Sequence, residues 1–254
     1  MLSVLKAAYS GGAGKVLKQR RICTLSWRTV VVALALLPAA VGAPPTDSME
    51  QRVQPCIACH GEQGIDLESG YVPRLHGKPA GYLYNQLVNF REGRRNNRAM
   101  VIMVSHLADD YLWEMAEYFA TRDVPYPPPA SPPANAQLAA RGRILATEGD
   151  PARDIPACQA CHGERLTGVL PNTPGLLGLP SHYLAAQLGA WRAGTREAAA
   201  PDCMHAIAER LTGMDIQAVS LWIAAQPVPA DTSPIAGPVA EPPMECGSVP
   251  LPGQ

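Results

Sequence analysis

At 254 residues the chain has room for one or two domains, and an apolar content of 47% is ordinary for a globular protein. Twenty-six prolines beside two phenylalanines describe a loop-rich chain whose core is partly supplied by something other than aromatic side chains. The formal charge of −1 hides an uneven distribution: residues 1–43 hold six basic residues and no acid, leaving the remainder near −7, which excludes nucleic acid and favours a partner with a basic docking patch.

Those first 43 residues read as an export signal. A basic stretch (Lys6, Lys15, Lys18, Arg20, Arg21, Arg28) leads into a run from Thr29 to Val41 that is apolar after its first residue and ends Ala39-Ala40-Val41-Gly42-Ala43. The run is too short to span a bilayer, and Pro38 interrupts it. Cleavage is expected after about Ala43, which places the mature protein in the periplasm. Retention of the segment as a membrane anchor is the competing reading. The Gly11–Lys15 run is not a P-loop, because Tyr9 stands where the first glycine is required.

A short helix is expected from Met49 to Ala58, running into Cys56-Ile57-Ala58-Cys59-His60, and this motif returns as Cys158-Gln159-Ala160-Cys161-His162. C-x-x-C-H is the pattern of covalent haem attachment: two thiols reach the two vinyl groups of one haem, and the adjacent imidazole meets the iron. A bare C-x-x-C also suits a redox dithiol or half a zinc site, but a histidine directly after the second cysteine disfavours both. The expected cofactors are two covalently bound haem c groups, held by Cys56, Cys59, Cys158 and Cys161, with His60 and His162 on the irons.

The motifs sit inside a longer repeat. At a constant offset of 101, Pro73/Pro174, Gly77/Gly178, Pro79/Pro180, Tyr82/Tyr183, Gln86/Gln187, Arg91/Arg192 and Arg95/Arg196 coincide, with Leu83/Leu184, Leu87/Leu188 and Gly93/Gly194. Residues 61–78 read as irregular, punctuated by Gly61, Gly64, Gly70, Pro73 and Gly77. Pro79 then suits a first helical turn; Leu83, Leu87 and Phe90 recur at helical spacing, and Gly93 stops the helix. A basic loop leads to Met100, and a last helix is expected from Asp109 or Asp110 to about Thr121. Residues 124–136, rich in proline, read as an extended linker. The second copy opens with a helix from Ala136 to Thr147, stopped at Gly149. Its last helix has Thr212 and Asp215 placed for a capping box and ends before Pro227. No alternating strand pattern appears, so an all-α fold is expected: domain 1 over 44–123, domain 2 over 137–228, and a Pro-rich tail over 229–254 lying along the surface. Domains this small are marginal on hydrophobic burial alone, and a haem supplies apolar surface to pack around.

The sixth iron ligand decides the chemistry. A methionine thioether closes the site and raises the potential, whereas an open site permits O₂ or peroxide chemistry. Met100 and Met204 lie 40 and 42 residues beyond their histidines, each seven residues before a leucine (Leu107, Leu211). Met103 competes with Met100, but its repeat counterpart is Ile207, which cannot ligate; Met103 is therefore read as packing. A carbonyl from the Pro73 or Pro174 loop could accept Nδ1–H of each histidine and keep Nε2 on iron. Arg91/Arg192 and Arg95/Arg196 are read either as a solvated face or as propionate partners. His76, His106, His182 and His205 do not recur and are read as surface or supporting residues. Four haem thiols and Cys23 account for five of the seven cysteines; the remaining Cys203 and Cys246 suit a disulfide that pins the tail beside the second haem.

The ordered set CIACHGEQG, VPRLHGKPAGYLYNQL, the Met100 loop, CQACHGERL, TPGLLGLPSHYLAAQL and CMHAIAERL resembles the dihaem cytochrome c4 family, over residues 50–228. The resemblance implies two tandem class I cytochrome c domains, packed pseudo-symmetrically with their propionate edges close together. It implies Met100 and Met204 as sixth ligands and Pro73 and Pro174 as the histidine-orienting loops. It further implies an electron carrier, not an enzyme, working in or near the periplasmic membrane surface. Its partners would be a quinol–cytochrome c reductase or dehydrogenase as donor and a terminal oxidase as acceptor. The alternatives are a membrane-held subunit of a dehydrogenase or oxidase complex, and a haem peroxidase. The chain departs from the family in a short segment before Cys56 and in the tail that carries Cys246.

Overall fold

The computed structural model describes residues 47–61, 72–237 and 241–252. The expected export signal, and Gly64 and Gly70 of the first irregular loop, lie outside them. The first half contains α1 (Met49–Arg52), α2 (Gln54–His60), α3 (Ala80–Arg91), α4 (Arg98–Val104) and α5 (Asp109–Ala120). The second contains α6 (Ala136–Thr147), a 3-10 turn (Pro151–Arg153), α7 (Cys158–His162), α8 (Ser181–Arg192), α9 (Cys203–Ala208) and α10 (Gly213–Ala224). Two residue pairs, Gly168–Val169 and Thr173–Pro174, form a short antiparallel ribbon, β1 and β2.

The helix expected over Met49–Ala58 is interrupted at Val53. Pro55 is the reason: it has no N–H to give to the carbonyl four residues back, so the chain restarts with Pro55 in the first turn of α2. The second half keeps a full twelve-residue α6 instead, and Gly142 lets it lie against α10: a Cβ there would stand 2.3 Å from the Ala218 carbonyl oxygen. The approach to each methionine is helical rather than loop. Asn97 caps α4 by accepting from Met100 N at 3.2 Å, and Asp202 caps α9 by accepting from His205 N at 3.1 Å.

Two apolar clusters form. Val53, Leu83, Val88, Leu112, Ala116 and Phe119 centre the first; Leu145, Leu166, Leu184, Leu211, Val219 and Ile223 belong to the second. Each fully buried leucine or valine contributes about 1.5–3 kcal/mol. The Thr212–Asp215 capping box at α10 is present, and Asp215 does more than cap. It also accepts from Arg141 Nε at 2.7 Å and Arg153 Nη1 at 2.9 Å, while both arginines bond Asp150. Burial pushes the Asp215 carboxyl up, but Arg153, Arg141 and Thr212 outweigh it and hold it well below the usual carboxylate range.

Residues 123–134 contain neither helix nor strand, yet they are tied to both halves. Arg74 donates to the carbonyls of Val124 and Pro125 and lies over the Tyr126 ring, which packs on the second cluster; Ala130 N reaches the Ala224 carbonyl at 2.9 Å. The tail is likewise not a loose surface strand. Ile235 N donates to the Gly168 carbonyl, Cys246 is disulfide-bonded to Cys203, Val249 N reaches Asn85 Oδ1 at 2.9 Å, and Val249 and Leu251 pack on the first cluster.

Candidate haem site

Helix α2 ends on His60 and α7 ends on His162, each followed by a glycine at positive φ (Gly61, +63°; Gly163, +84°) that turns the chain away from the ring. His60 Nδ1 lies 2.8 Å from the Pro73 carbonyl oxygen, and His162 Nδ1 lies 2.8 Å from that of Pro174. A carbonyl only accepts, so Nδ1 carries the proton and each Nε2 presents a lone pair. Both rings are buried, and burial lowers the His162 pKa, which favours the neutral, ligating form.

The four motif thiols are unpaired, whereas Cys203 and Cys246 are joined. Burial pushes Cys158 up to about 12 and also raises Cys56 and Cys161. Raised thiol pKa values disfavour the reactive thiolate of a redox dithiol, and among the described residues no group of three or more histidines, cysteines or carboxylates is placed to hold a metal ion. These environments fit thiols that become thioethers. A single cavity of about 1780 Å³ runs past both motifs and is also lined by Met100 and Met204. Pockets for one drug-sized ligand run to roughly 300–1,000 Å³, so this one is large enough for two large flat groups.

Both candidate first-half methionines line the cavity, but they are unequally buried. Met100 is half-buried against the first cluster, while Met103 is 44% exposed. Met204 is half-buried and follows the disulfide-bonded Cys203.

The buried charged side chains of the lining are cationic, whereas its acids, Asp202, Glu241 and Glu245, are half-buried or exposed. Lys78, Arg95 and Arg196 are buried at the cavity, and none forms an ion pair with a carboxylate among the described residues. Arg95 and Arg196 meet back to back across the two halves in an isolated antiparallel bridge. Arg95 donates to Gln86 and Gln187 at 2.8 Å each, and Arg196 donates to Gln187 at 2.6 Å and Gln86 at 3.0 Å. Tyr183 lies beside Arg95 and Tyr82 beside Arg196, so each half's tyrosine stands next to the other half's arginine. Burial, then the neighbouring Arg95 charge, push Arg196 down to about 10. Buried cations without counter-charge are costly. A group bearing carboxylates, as haem bears propionates, offsets that cost. The residues present therefore fit the cofactor expected from the motifs.

Other readings need correction. Arg91 is engaged elsewhere, bonding Asp109 at 2.6 Å and the Leu107 carbonyl, and Arg192 is exposed; neither lines the cavity. Of the two places read for His76, surface or supporting, it takes the second: it is buried against Phe119, and burial pushes its pKa down to about 4. Sequence reasoning assigned no role to Tyr82, Tyr183, Gln86, Gln187 or Lys78, although the first four recur at the offset of 101.

No family model matches the chain. A protein named thiosulfate dehydrogenase electron acceptor from Thiomonas intermedia is 39% identical over 200 residues, covering 78% of this chain and 91% of the relative. Cytochrome c4 of Pseudomonas aeruginosa is 30% identical over 197 residues, covering 77% of this chain and 95% of the relative. The chain belongs to the dihaem cytochrome c4 family. A reduced cytochrome c4 from Pseudomonas stutzeri superposes with a TM-score of 0.60 at 29% identity, covering 72% of this chain and 99% of that one. As a cytochrome c4 the chain carries two covalent haem c groups on tandem class I domains and is an electron-transfer protein, not an enzyme. Among its described residues no helix is long and apolar enough to cross a membrane.

Proposed function

We propose that this cytochrome c4 is a periplasmic acceptor of electrons from a thiosulfate dehydrogenase, which it relays toward a terminal oxidase. The donor rests on the likeness to the Thiomonas intermedia protein over 91% of that relative. The periplasm rests on the basic and apolar residues 1–43 and on the disulfide, which persists in an oxidising compartment.

The observation that carries the two-haem reading is the one cavity reached by both C-x-x-C-H motifs and both methionine helices. In this reading Cys56, Cys59, Cys158 and Cys161 form the thioethers; His60 and Met100 ligate one iron, His162 and Met204 the other. Bound haem iron supplies a one-electron Fe(III)/Fe(II) couple. The Pro73 and Pro174 carbonyls hold the imidazoles by Nδ1. The thioethers of Met100 and Met204 would hold the irons on the side away from the histidine-bearing motifs, exclude O₂ and favour Fe(II). Arg95 and Arg196 sit where both halves meet and offer positive charge to propionates from either side.

The test is stopped-flow reduction of the oxidised full protein by a purified thiosulfate dehydrogenase supplied with thiosulfate. Rapid bleaching of both ferric haems is expected, and carbon monoxide should not bind the reduced protein. Reduction no faster than that of an unrelated cytochrome c would overturn the donor assignment, and carbon monoxide binding would overturn the methionine ligation.

A further inference from the structure

The repeat breaks where the chain leaves each histidine-orienting carbonyl. After Pro73 come Arg74, His76 and Lys78; the matched positions after Pro174 hold Gly175, Leu177 and Leu179. All six are buried, so one loop is basic where its counterpart is apolar. The basic loop is not confined to its own half. Lys78 is 6% exposed, and its Nζ donates to the Gly175 carbonyl at 2.9 Å. Gly175 adjoins Pro174, whose carbonyl accepts from His162 Nδ1. A first-half ammonium therefore stands one peptide unit from the group that orients the second half's histidine. The arrangement is not reciprocated, because the residue matching Lys78 is Leu179, which has no donor.

We propose that Lys78 is a positioning residue acting across the domain boundary: its charge raises the reduction potential of the second-half haem, and its hydrogen bond holds the Pro174–Gly175 loop that orients His162. The inference rests on the reading of His162 as an iron ligand. The physical reason is Coulombic. Ferric haem carries one more positive charge than ferrous, so a fixed cation in a weakly screening interior disfavours the oxidised state. Leu179 lends no such charge to the first half. The charged neighbour of the amine is Arg74, and the imidazole of His162, neutral when it ligates, is also near. Burial pushes the amine pKa down to about 7, so potentials are best read at pH 6.

The test is redox titration of the full dihaem protein as wild type, Lys78→Met, Lys78→Gln and Lys78→Arg, each also in a Met204→His background that marks the second-half wave. In Lys78→Met the second-half wave should fall by about 59 mV, a tenfold change in a one-electron equilibrium, while the first-half wave stays in place. Lys78→Gln keeps a donor without charge and should show the same direction; Lys78→Arg should restore the wild-type value. Equal movement of both waves, or no movement in either uncharged variant, overturns the proposal. If Met204→His itself moves neither wave, the ligand reading fails instead. Should Lys78→Met load haem poorly, Lys78→Gln against Lys78→Arg still isolates the charge.

Discussion

Replacing Asp215 by asparagine tests how the second haem motif is braced. Asp215 accepts from Arg141 Nε at 2.7 Å, Arg153 Nη1 at 2.9 Å, Thr212 Oγ1 at 2.8 Å and Thr212 N at 3.0 Å. Those bonds tie α6 and the start of α10 to the 3-10 turn that leads into Cys158. Breaking a buried ion pair costs about 3–5 kcal/mol. Here the arginines are 32% and 33% exposed and keep Asp150, and asparagine retains one acceptor, so the loss is reduced to about 2 kcal/mol. For a folded unit of this size that lowers Tm by roughly 4–8 °C. The pH dependence gives the sign. The Asp215 pKa lies below the unfolded value of about 3.9, so its contribution is complete above that value and is lost as pH falls through the folded pKa. Thermal denaturation of the oxidised holoprotein, followed by far-ultraviolet circular dichroism, should show the wild-type advantage at pH 7 and a narrower gap near pH 2. The same gap at both pH values would mean that asparagine disturbs packing and that the charge is irrelevant.

Further expectations follow from the same geometry. Met204→His should lower the second-half potential strongly and leave the first-half wave nearly unmoved, while Met103→Leu should leave both unchanged; redox titration reads each. Cys246→Ser opens a disulfide spanning 43 residues and should cost about 4 kcal/mol on chain-entropy grounds, seen as a lower Tm under oxidising conditions that reductant no longer alters. Arg196→Met removes a buried charge shared by both halves and should lower both potentials together, in contrast to the one-sided effect of Lys78→Met.

Much of the architecture was legible because the determinants are local. Helix α6 begins and ends where its sequence limits indicated, and Thr212 and Asp215 announced their capping box, since each depends only on residues a turn apart. The split at Val53 was visible in principle, for Pro55 lies within four residues of the break. So were the short helices at Met100 and Met204, since Asn97 and Asp202 stand in sequence as their caps. Which of the two places His76 takes, surface or supporting, was not legible, because its burial depends on Phe119, more than forty residues away.

The sequence by itself determined the chemistry: two C-x-x-C-H motifs, a repeat at an offset of 101 and a matched methionine after each are written in residue identity and spacing. Only the tertiary structure decided which residues cross between the halves. The Arg95–Gln187 and Arg196–Gln86 bonds span 92 and 110 residues, Lys78–Gly175 spans 97, and Val249–Asn85 spans 164. No local pattern encodes such pairs, because a guanidinium or ammonium reads as a solvated charge until folding removes the water around it and leaves particular carbonyls within reach.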